Sequence, residues 1–413
     1  MFRFLHSADW QLGARFAQFG AEAERLRAQR LQTLRTALTL ARDRAVDAFF
    51  VAGDLFEDNQ VADALVDETL RTFADFPKIP VFLLPGNHDP ATGPGAVWSR
   101  RQFRPGILPP NVTLLLEPAA HPLPGGHFLL ASPLRQKMST VDPSLPLRDL
   151  ARAQPADRIK IGLTHGALAI PGKHQPHDFP IDPTAATRAG LDYLGIGHWH
   201  NWQLYDSDRL VMPGTPEPDA FDQPKSGYVA YVEIDGPAAL PRVTPLVVGG
   251  LRWTSFEYEF GEFDAARPAL AHHVATLGEQ IGASLCRVRL KGPAAFGQCA
   301  QAHDWLRDLF QSAFHCQVQD HTHPMLSAGE IAALEREHPI LCQVLADLAQ
   351  IEMLATGRIP DNLLGPVRMA LNLAEAQTLA TEARLPLDTL GTDDFLWARQ
   401  LLFASLHDLT AAA

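Results

Sequence analysis

The residues best suited to chemistry lie in segment 83–89, which reads LLPGNHD. Asn87 and His88 follow an apolar run, Val81 to Leu84, that is typical of a buried strand. Open α/β sheets bind ligands at the carboxyl ends of their strands. The amide oxygen of Asn87 can ligate a cation, and the imidazole of His88 can face the leaving group of a phosphate ester. Because Gly and Asn also favour turns, the segment alone is equally consistent with a structural turn.

Two earlier predicted strands end in residues of the same kind. Asp9 and Gln11 follow the apolar run at 2–6, and in extended backbone two side chains at this spacing point the same way. Asp54 follows the run at 48–52, where a carboxylate can bridge two cations. The alternative for each acid is a structural role as a helix cap.

Two later predicted strands end in histidine. His165 follows the run at 159–164, whereas His198 and His200 follow the run at 193–197. A lone histidine is usually structural, but a His-x-His pair after glycine at a strand end is a stronger signal of metal binding. It is improbable that five predicted strands would each end in a residue able to bind a metal by coincidence. Their oxygen and nitrogen donors, without a thiolate, favour manganese, iron or zinc over magnesium alone.

The composition bounds the class of protein. The chain has 413 residues, of which 46% are hydrophobic and 20% charged, as in ordinary globular proteins. The net charge of −12 argues against non-specific DNA binding over the whole surface, although a metal site can still hold a polyanion. Four widely spaced cysteines predict reduced thiols. We expect a cytoplasmic protein without a membrane segment, because no apolar run is long enough to span a bilayer and no signal peptide is evident.

The elements that must position these residues alternate between strands and helices, which predicts an α/β fold. An apolar stripe predicts a first helix, and residues 61–76 predict a second. Segment 90–126, rich in Pro and Gly, is predicted to be irregular; its arginines could grip a phosphate backbone or form a solvated loop. The stripe consists of Leu31, Leu34, Leu38, Ala41 and Ala45, and the arginines are Arg100, Arg101 and Arg104.

The pattern changes after about residue 250. Strand-like and helix-like segments alternate up to 319 and predict a small α/β cap, with Cys286, Val288 and Leu290 on one face of a strand. Residues 327–413 predict several helices, the first with a capping box at Ser327 to Glu330. The expected domains are therefore 1–250, 251–326 and 327–413.

The order of these motifs resembles the calcineurin-like metallophosphoesterases, over about the first 250 residues. Segments 8–13 (ADWQLG) and 53–56 (GDLF) resemble the SbcD-type DNA nuclease branch of that family. The resemblance implies a two-sheet β-sandwich flanked by helices, and two divalent metal ions held by side chains at the strand ends. By resemblance, one ion would be held by Asp9, Gln11, Asp54 and His200, and the other by Asp54, Asn87, His165 and His198. His88 would be the catalytic residue at the scissile phosphate.

Gln11 departs from the SbcD pattern, which has histidine at this place. Glutamine offers an oxygen instead of an imidazole nitrogen, so the first metal is expected to be held more weakly or with a preference for harder ions, and to be partly lost in the extreme case. A glutamine here is similar to stand-alone bacterial manganese-dependent DNA endonucleases, which occur in repair clusters with an Lhr-type helicase and a DNA ligase. That group is taken as the closest relative.

The function implied is a manganese-dependent endonuclease that cuts single-stranded DNA in repair, with a metal-bound hydroxide attacking the phosphodiester in line. DNA, as single strands or ends, is the expected substrate, and the helicase and ligase are expected partners. The alternatives are an SbcD-like exonuclease component of a larger complex, a phosphodiesterase for small esters or cyclic nucleotides, and a DNA-end-binding protein without activity.

Overall fold

The computed structural model describes residues 1–295, 298–325, 336–337, 339–357, 373–392, 394–395, 397–398 and 402. The chain divides into two compact units, Met1–Trp253 and Thr254–Ala413. The further division of the second unit into domains 251–326 and 327–413 stays a prediction.

The described residues form fifteen strands and eight helices. The strands are β1 (Phe2–Ser7), β2 (Ala48–Ala52), β3 (Val81–Leu84), β4 (Val112–Leu114), β5 (Ala119–Leu123), β6 (His127–Ser132), β7 (Lys160–His165), β8 (Tyr193–Gly197), β9 (Gln203–Tyr205), β10 (Leu210–Met212), β11 (Tyr228–Ile234), β12 (Arg242–Val247), β13 (Arg252–Glu259), β14 (Ser284–Ala295) and β15 (His315–Met325). The helices are α1 (Ala23–Asp43), α2 (Asp63–Ala74), α3 (Leu145–Arg152), α4 (Ala185–Ala189), α5 (Phe260–Leu277), α6 (Gln298–Leu309), α7 (Pro339–Thr356) and α8 (Leu373–Glu382).

The first unit contains two six-stranded sheets. One has the order β12-β11-β1-β2-β3-β4 and the other β5-β6-β7-β8-β10-β9. Strands β1 to β4 are parallel to one another, as are β6, β7, β8 and β10. Parallel strands place their carboxyl ends at the same edge, so each sheet gathers the residues that follow its strands.

The two sheets share one apolar core. Phe50 and Phe82 of the first sheet pack in the same cluster as Ile161 and Leu163 of the second. Alternate residues of the first sheet, such as Phe49, face a cluster that includes the apolar side of α1 and α2. Strands buried on both faces read as continuous apolar runs, which is why they stand out in the sequence. The predicted α/β fold with two sheets flanked by helices is confirmed.

Two details of the first unit differ from prediction. Helix α1 ends at Asp43, and Ala45 is an exposed residue of the following turn with φ 48°. The prediction that Ala45 belongs to the apolar stripe of this helix was therefore wrong. Segment 90–126 is not wholly irregular, because it contains β4 and the strand β5, and Trp98 and Phe103 are buried in it. Arg100 is engaged by the backbone oxygens of Val61 and Asn59, each at 2.7 Å.

The second unit contains a three-stranded sheet in the order β13-β14-β15. Cys286, Val288 and Leu290 of β14 are buried as predicted, in a cluster with residues of α5 and α6. The predicted capping box at 327–330 lies outside the described residues. The described cysteine side chains, Cys286, Cys299 and Cys316, are free thiols. Among the described residues, no helix combines the length and apolarity that crossing a bilayer requires.

Candidate metal centre

Side chains from both sheets converge at the carboxyl ends of the parallel strands. One ligand atom each from Asp9, Asp54 and His165 lies within 4.8 Å of the others, and all three residues are buried. The side-chain oxygen of Asn87 lies 2.9 Å from Nε2 of His165 and 3.0 Å from Nδ1 of His198. Five residues at the carboxyl ends of five different strands thus meet at one place.

The remaining predicted ligands adjoin this cluster. Nε2 of Gln11 lies 3.2 Å from Nε2 of His200. The backbone N–H of His198 donates to both carboxylate oxygens of Asp9, at 3.0 and 3.1 Å. The predicted site residues are therefore brought together, while their role as ligands stays a prediction.

The backbone that presents four of these residues is left-handed. The φ angles are 56° at Asp9, 41° at Gln11, 54° at Asp54 and 126° at His198. The expectation that extended chain aligns Asp9 with Gln11 was therefore wrong, because both residues lie on an irregular turn. His198 and His200 also lie on irregular chain. Non-glycine residues in such conformations carry strain and cluster at functional sites.

Glycines let these turns pack closely. A Cβ on Gly53 would lie 2.1 Å from Nδ1 of His165, and one on Gly86 would lie 2.1 Å from Oδ1 of Asp54. Any larger residue would thus displace a candidate ligand, which explains the glycine before both Asp54 and Asn87.

Buried Asp89 ties the same turns together. Its two carboxylate oxygens accept from the backbone N–H groups of Phe56, at 3.0 Å, and Gly86, at 2.8 Å. Burial and the nearby charge of Asp54 raise the pKa of Asp89 well above its usual value. Sequence reasoning gave Asp89 no role, although it stands within the segment 83–89.

The hydrogen bonds of His165 test whether a cation fits. Its Nδ1 lies 2.8 Å from the carbonyl oxygen of Ala52, so this nitrogen donates there. Its Nε2 then faces two acceptors, Oδ1 of Asn87 at 2.9 Å and Oδ2 of Asp54 at 3.3 Å. The lone pair of this nitrogen would face the lone pairs of two oxygens, which is unfavourable unless a proton or a metal ion lies between the nitrogen and the oxygens. The donor set therefore fits a divalent cation.

Comparison with known proteins agrees with this geometry. Residues 2–202 match the sequence model of the family described as calcineurin-like phosphoesterase. The matched segment contains all the predicted site residues, and the two sheets flanked by helices have the fold of that family. Calcineurin-like phosphoesterases use a dinuclear metal centre, and the cluster of Asp9, Asp54 and His165 is a possible site for one.

One curated relative and two solved structures are similar to the domain. The SbcD component of the nuclease SbcCD of Bacillus subtilis (strain 168) is 25% identical over 268 aligned positions, which cover 56% of this chain and 65% of the relative. A dimetal phosphatase from Danio rerio matches with a TM-score of 0.36 and 14% identity, over 59% of this chain and 98% of that one. A purple acid phosphatase from yellow lupin (Lupinus luteus) matches with a TM-score of 0.34 and 14% identity, over 59% and 46%.

The buried carboxylates and imidazoles of the candidate metal centre shift one another's pKa values. Burial alone would lower the pKa of His165, but the charge of Asp54 and its hydrogen bond raise this pKa to about 9. The same pairing holds the pKa of Asp54 below its usual value despite burial. Burial and the charge of His165 lower the pKa of His198 to about 4. In the metal-free cluster, His165 therefore carries the proton and His198 is neutral at pH 7.

His88 adjoins Asp54 of the candidate metal centre and is half-buried. Its backbone N–H donates to Oδ1 of Asp54 at 2.9 Å, and its Nδ1 donates to the carbonyl oxygen of Glu57 at 2.8 Å. These two bonds fix the ring and leave Nε2 as the nitrogen available to a substrate.

A network that sequence reasoning missed lies behind His200. Oδ1 of Asp219 is 3.3 Å from Nδ1 of His200, and Oδ2 of Asp219 accepts from buried Arg30 at 2.8 Å. Thr215 joins the network to the turn that carries Asp9. Its hydroxyl donates to the carbonyl oxygen of Asp9 at 2.8 Å, and its backbone N–H donates to the carbonyl oxygen of His200. Asp219 lies 19 residues after His200 in irregular chain, so no periodicity marks it.

Proposed function

We propose that the chain is a metal-dependent DNA phosphodiesterase, specifically a manganese-dependent endonuclease that cuts single-stranded DNA. The observation that supports it best is the convergence of Asp9, Asp54 and His165 within 4.8 Å, next to Asn87 and His198, in a calcineurin-like phosphoesterase domain. DNA as the substrate class is supported by the similarity to the SbcD component of the nuclease SbcCD. The chain spans about 65% of the length of that relative, so the substrate remains part of the proposal.

The residues that would hold two cations are those assigned by resemblance: Asp9, Gln11, Asp54 and His200 for one, and Asp54, Asn87, His165 and His198 for the other. When bound, a pair of divalent ions activates water and neutralises charge on the phosphoryl oxygens. The donors are oxygen and nitrogen only, which favours manganese, iron or zinc over magnesium alone. The amide of Gln11 in place of an imidazole favours the harder of these, manganese. Asn87 adds a ligand oxygen without adding negative charge, and this favours an anionic substrate.

His88 is proposed to act on the leaving oxygen. Because its Nδ1 donates to Glu57, a protonated ring has its Nε2–H free to donate to the oxygen that departs from phosphorus. The Glu57 carbonyl fixes the orientation of the ring. This is general acid catalysis by a positioned side chain.

Gln11 supports placement in the stand-alone branch rather than among the components of a larger complex. We propose on this basis that the chain acts in DNA repair in the cytoplasm, with an Lhr-type helicase and a DNA ligase as partners. Co-purification of the three proteins, with and without DNA, tests the partners separately from the activity.

The function is tested on circular single-stranded DNA, which has no ends. Metal-stripped protein is assayed with manganese, magnesium, zinc or no metal, beside Asp54→Ala and the control Asp75→Ala, which removes an exposed carboxylate of the same domain. Nicking that requires manganese and Asp54, and that survives in Asp75→Ala, supports the endonuclease.

Each other result has a definite meaning. Uncut circles with degraded linear strands would make the protein an exonuclease. Hydrolysis of bis-p-nitrophenyl phosphate without cleavage of either DNA would replace DNA by small esters. DNA binding without any hydrolysis would leave a non-catalytic DNA-binding protein.

A further inference from the structure

The His200 ring has contacts on both of its nitrogens. Nε2 faces Gln11 at 3.2 Å, on the side of the metal centre. Nδ1 faces away from it, 3.3 Å from Oδ1 of Asp219 and 2.8 Å from Nε2 of Gln223. The ring nitrogen can therefore accept from Gln223 or donate to Asp219, and its tautomer decides which.

A cation on Nε2 settles that choice. A neutral imidazole that ligates through Nε2 must carry its proton on Nδ1. That proton needs an acceptor, and Oδ1 of Asp219 is in position to take it. The side-chain oxygen of Gln223 is already used, because it accepts from the backbone N–H of Asp219 at 3.0 Å.

Asp219 is itself held rigidly. Its second oxygen accepts from Arg30, whose other terminal nitrogen donates to the carbonyl oxygen of Trp10 at 2.6 Å. Arg30 is only 1% exposed, and Gln223 donates to Oδ1 of Asp219 at 2.6 Å. A carboxylate fixed at both oxygens is suited to fix the ring that it contacts.

His200, which Asp219 contacts, is especially important for binding the first metal because Gln11 offers no imidazole nitrogen. Among the four side chains assigned by resemblance to the first metal, His200 supplies the one nitrogen. A carboxylate that accepts from the other ring nitrogen of a ligating histidine raises its basicity and orients its ring. At His165 a backbone carbonyl has the corresponding role, because the carbonyl oxygen of Ala52 accepts from Nδ1 of that ring.

We infer that Asp219 is a positioning residue of the first metal: its carboxylate holds the Nδ1 proton of His200 and presents the Nε2 lone pair of that ring beside Gln11. The inference rests on the metal centre of the proposed function and not on its DNA substrate.

The test counts bound manganese on the full-length, metal-stripped protein by electron paramagnetic resonance titration. Three variants are compared with the wild type: Asp219→Asn, Asp219→Ala and the control Asp75→Asn. Asp75 also pairs with an arginine of α1, Arg35, at 3.2 Å, but on the surface. We expect one of the two manganese ions to bind about tenfold more weakly in Asp219→Asn, which keeps an acceptor oxygen, and about 100-fold more weakly in Asp219→Ala. The other ion should keep its affinity in all four proteins, and circular dichroism should show the same fold.

Unchanged binding of both ions in Asp219→Ala would overturn the inference. So would equal weakening of both ions, because that is the signature of a general structural role. A wild-type protein that binds two manganese ions but leaves every DNA substrate uncut would overturn the proposed DNA function alone.

Discussion

Nε2 of His165 lies 3.3 Å from Oδ2 of Asp54, and this contact joins the end of β7 in one sheet to the end of β2 in the other. In the metal-free protein the contact is an ion pair, with the pKa of His165 raised to about 9. A cation that takes the place of the proton keeps both groups satisfied. The contact therefore links the two sheets through two candidate ligands, so metal binding at these strand ends is coupled to folding and to protonation.

Metal affinity should depend on pH through His165. Since its pKa is about 9, the ring is protonated below that pH, and a cation must displace the proton. Affinity for one manganese ion should therefore rise about tenfold per pH unit between pH 6.5 and 8.5, with about one proton released. Isothermal titration in two buffers of different ionisation enthalpy measures both quantities. Binding that releases no proton and does not vary with pH would contradict the ion pair.

Replacing His88 should impair chemistry and spare the metals. Its Nδ1 is committed to Glu57, so only Nε2 remains to serve a leaving oxygen. We expect His88→Ala to lower turnover of DNA by about 10²- to 10⁴-fold, with unchanged manganese content. Hydrolysis of bis-p-nitrophenyl phosphate should fall much less, because p-nitrophenolate leaves without a proton.

The control for this variant is His272→Ala, which removes an exposed histidine of α5 and should leave both reactions unchanged. Equal losses on DNA and on the activated ester would remove the leaving-group role. Loss of manganese from His88→Ala would show instead that the ring supports the metal centre.

The sequence predicted the positions of the site because apolar runs end where polar residues begin. The runs before Asp54 and Asn87 are β2 and β3 of the structure, buried on both faces. Parallel topology then brings the strand ends to one edge, and this follows from α/β architecture alone. Residue types at those ends indicated a cation before any distance was known.

The geometry behind those positions was not predictable in the same way. The left-handed backbone at Asp9 and Asp54 is imposed by contacts between turns that are distant in the chain, as is the close approach of Gly86 to Asp54. Asp219 reaches His200 from an irregular segment, through a buried arginine of α1. No local periodicity encodes contacts of this kind.

Replacing Gln11 by histidine should change the metal preference. The side chain of Gln11 is buried beside Nε2 of His200, so an imidazole there would give the first site a second nitrogen ligand. Zinc should gain affinity relative to manganese, because imidazole suits zinc better than an amide oxygen does. Competition between the two metals on Gln11→His, measured against Gln18→His at an exposed position, checks this. Equal gains in both variants, or none, would show that Gln11 does not contribute to a metal site.

Acid should destabilise the protein through His6, which lies between the sheets. Nδ1 of His6 is 2.8 Å from the hydroxyl of Tyr193. Its Nε2 has no hydrogen-bond partner among the described residues, and burial lowers the pKa of the ring to about 3. Because the unfolded chain has the ordinary pKa of about 6.5, it binds more protons than the folded state between pH 3 and 6.5. The stabilisation is therefore complete above pH 6.5 and is lost as the pH falls, by about 1.4 kcal/mol per pH unit.

The variant His6→Gln isolates this effect, since an amide oxygen can still accept from Tyr193 but does not titrate. Urea unfolding of metal-stripped protein at pH 7.0, 6.0 and 5.0 measures the free energy of unfolding of both proteins. The wild type should lose more of its stability than His6→Gln over this range, while carboxylates that titrate in both proteins cancel in the difference. A difference between the two proteins that stays constant with pH would mean that the His6 ring is protonated in the folded state.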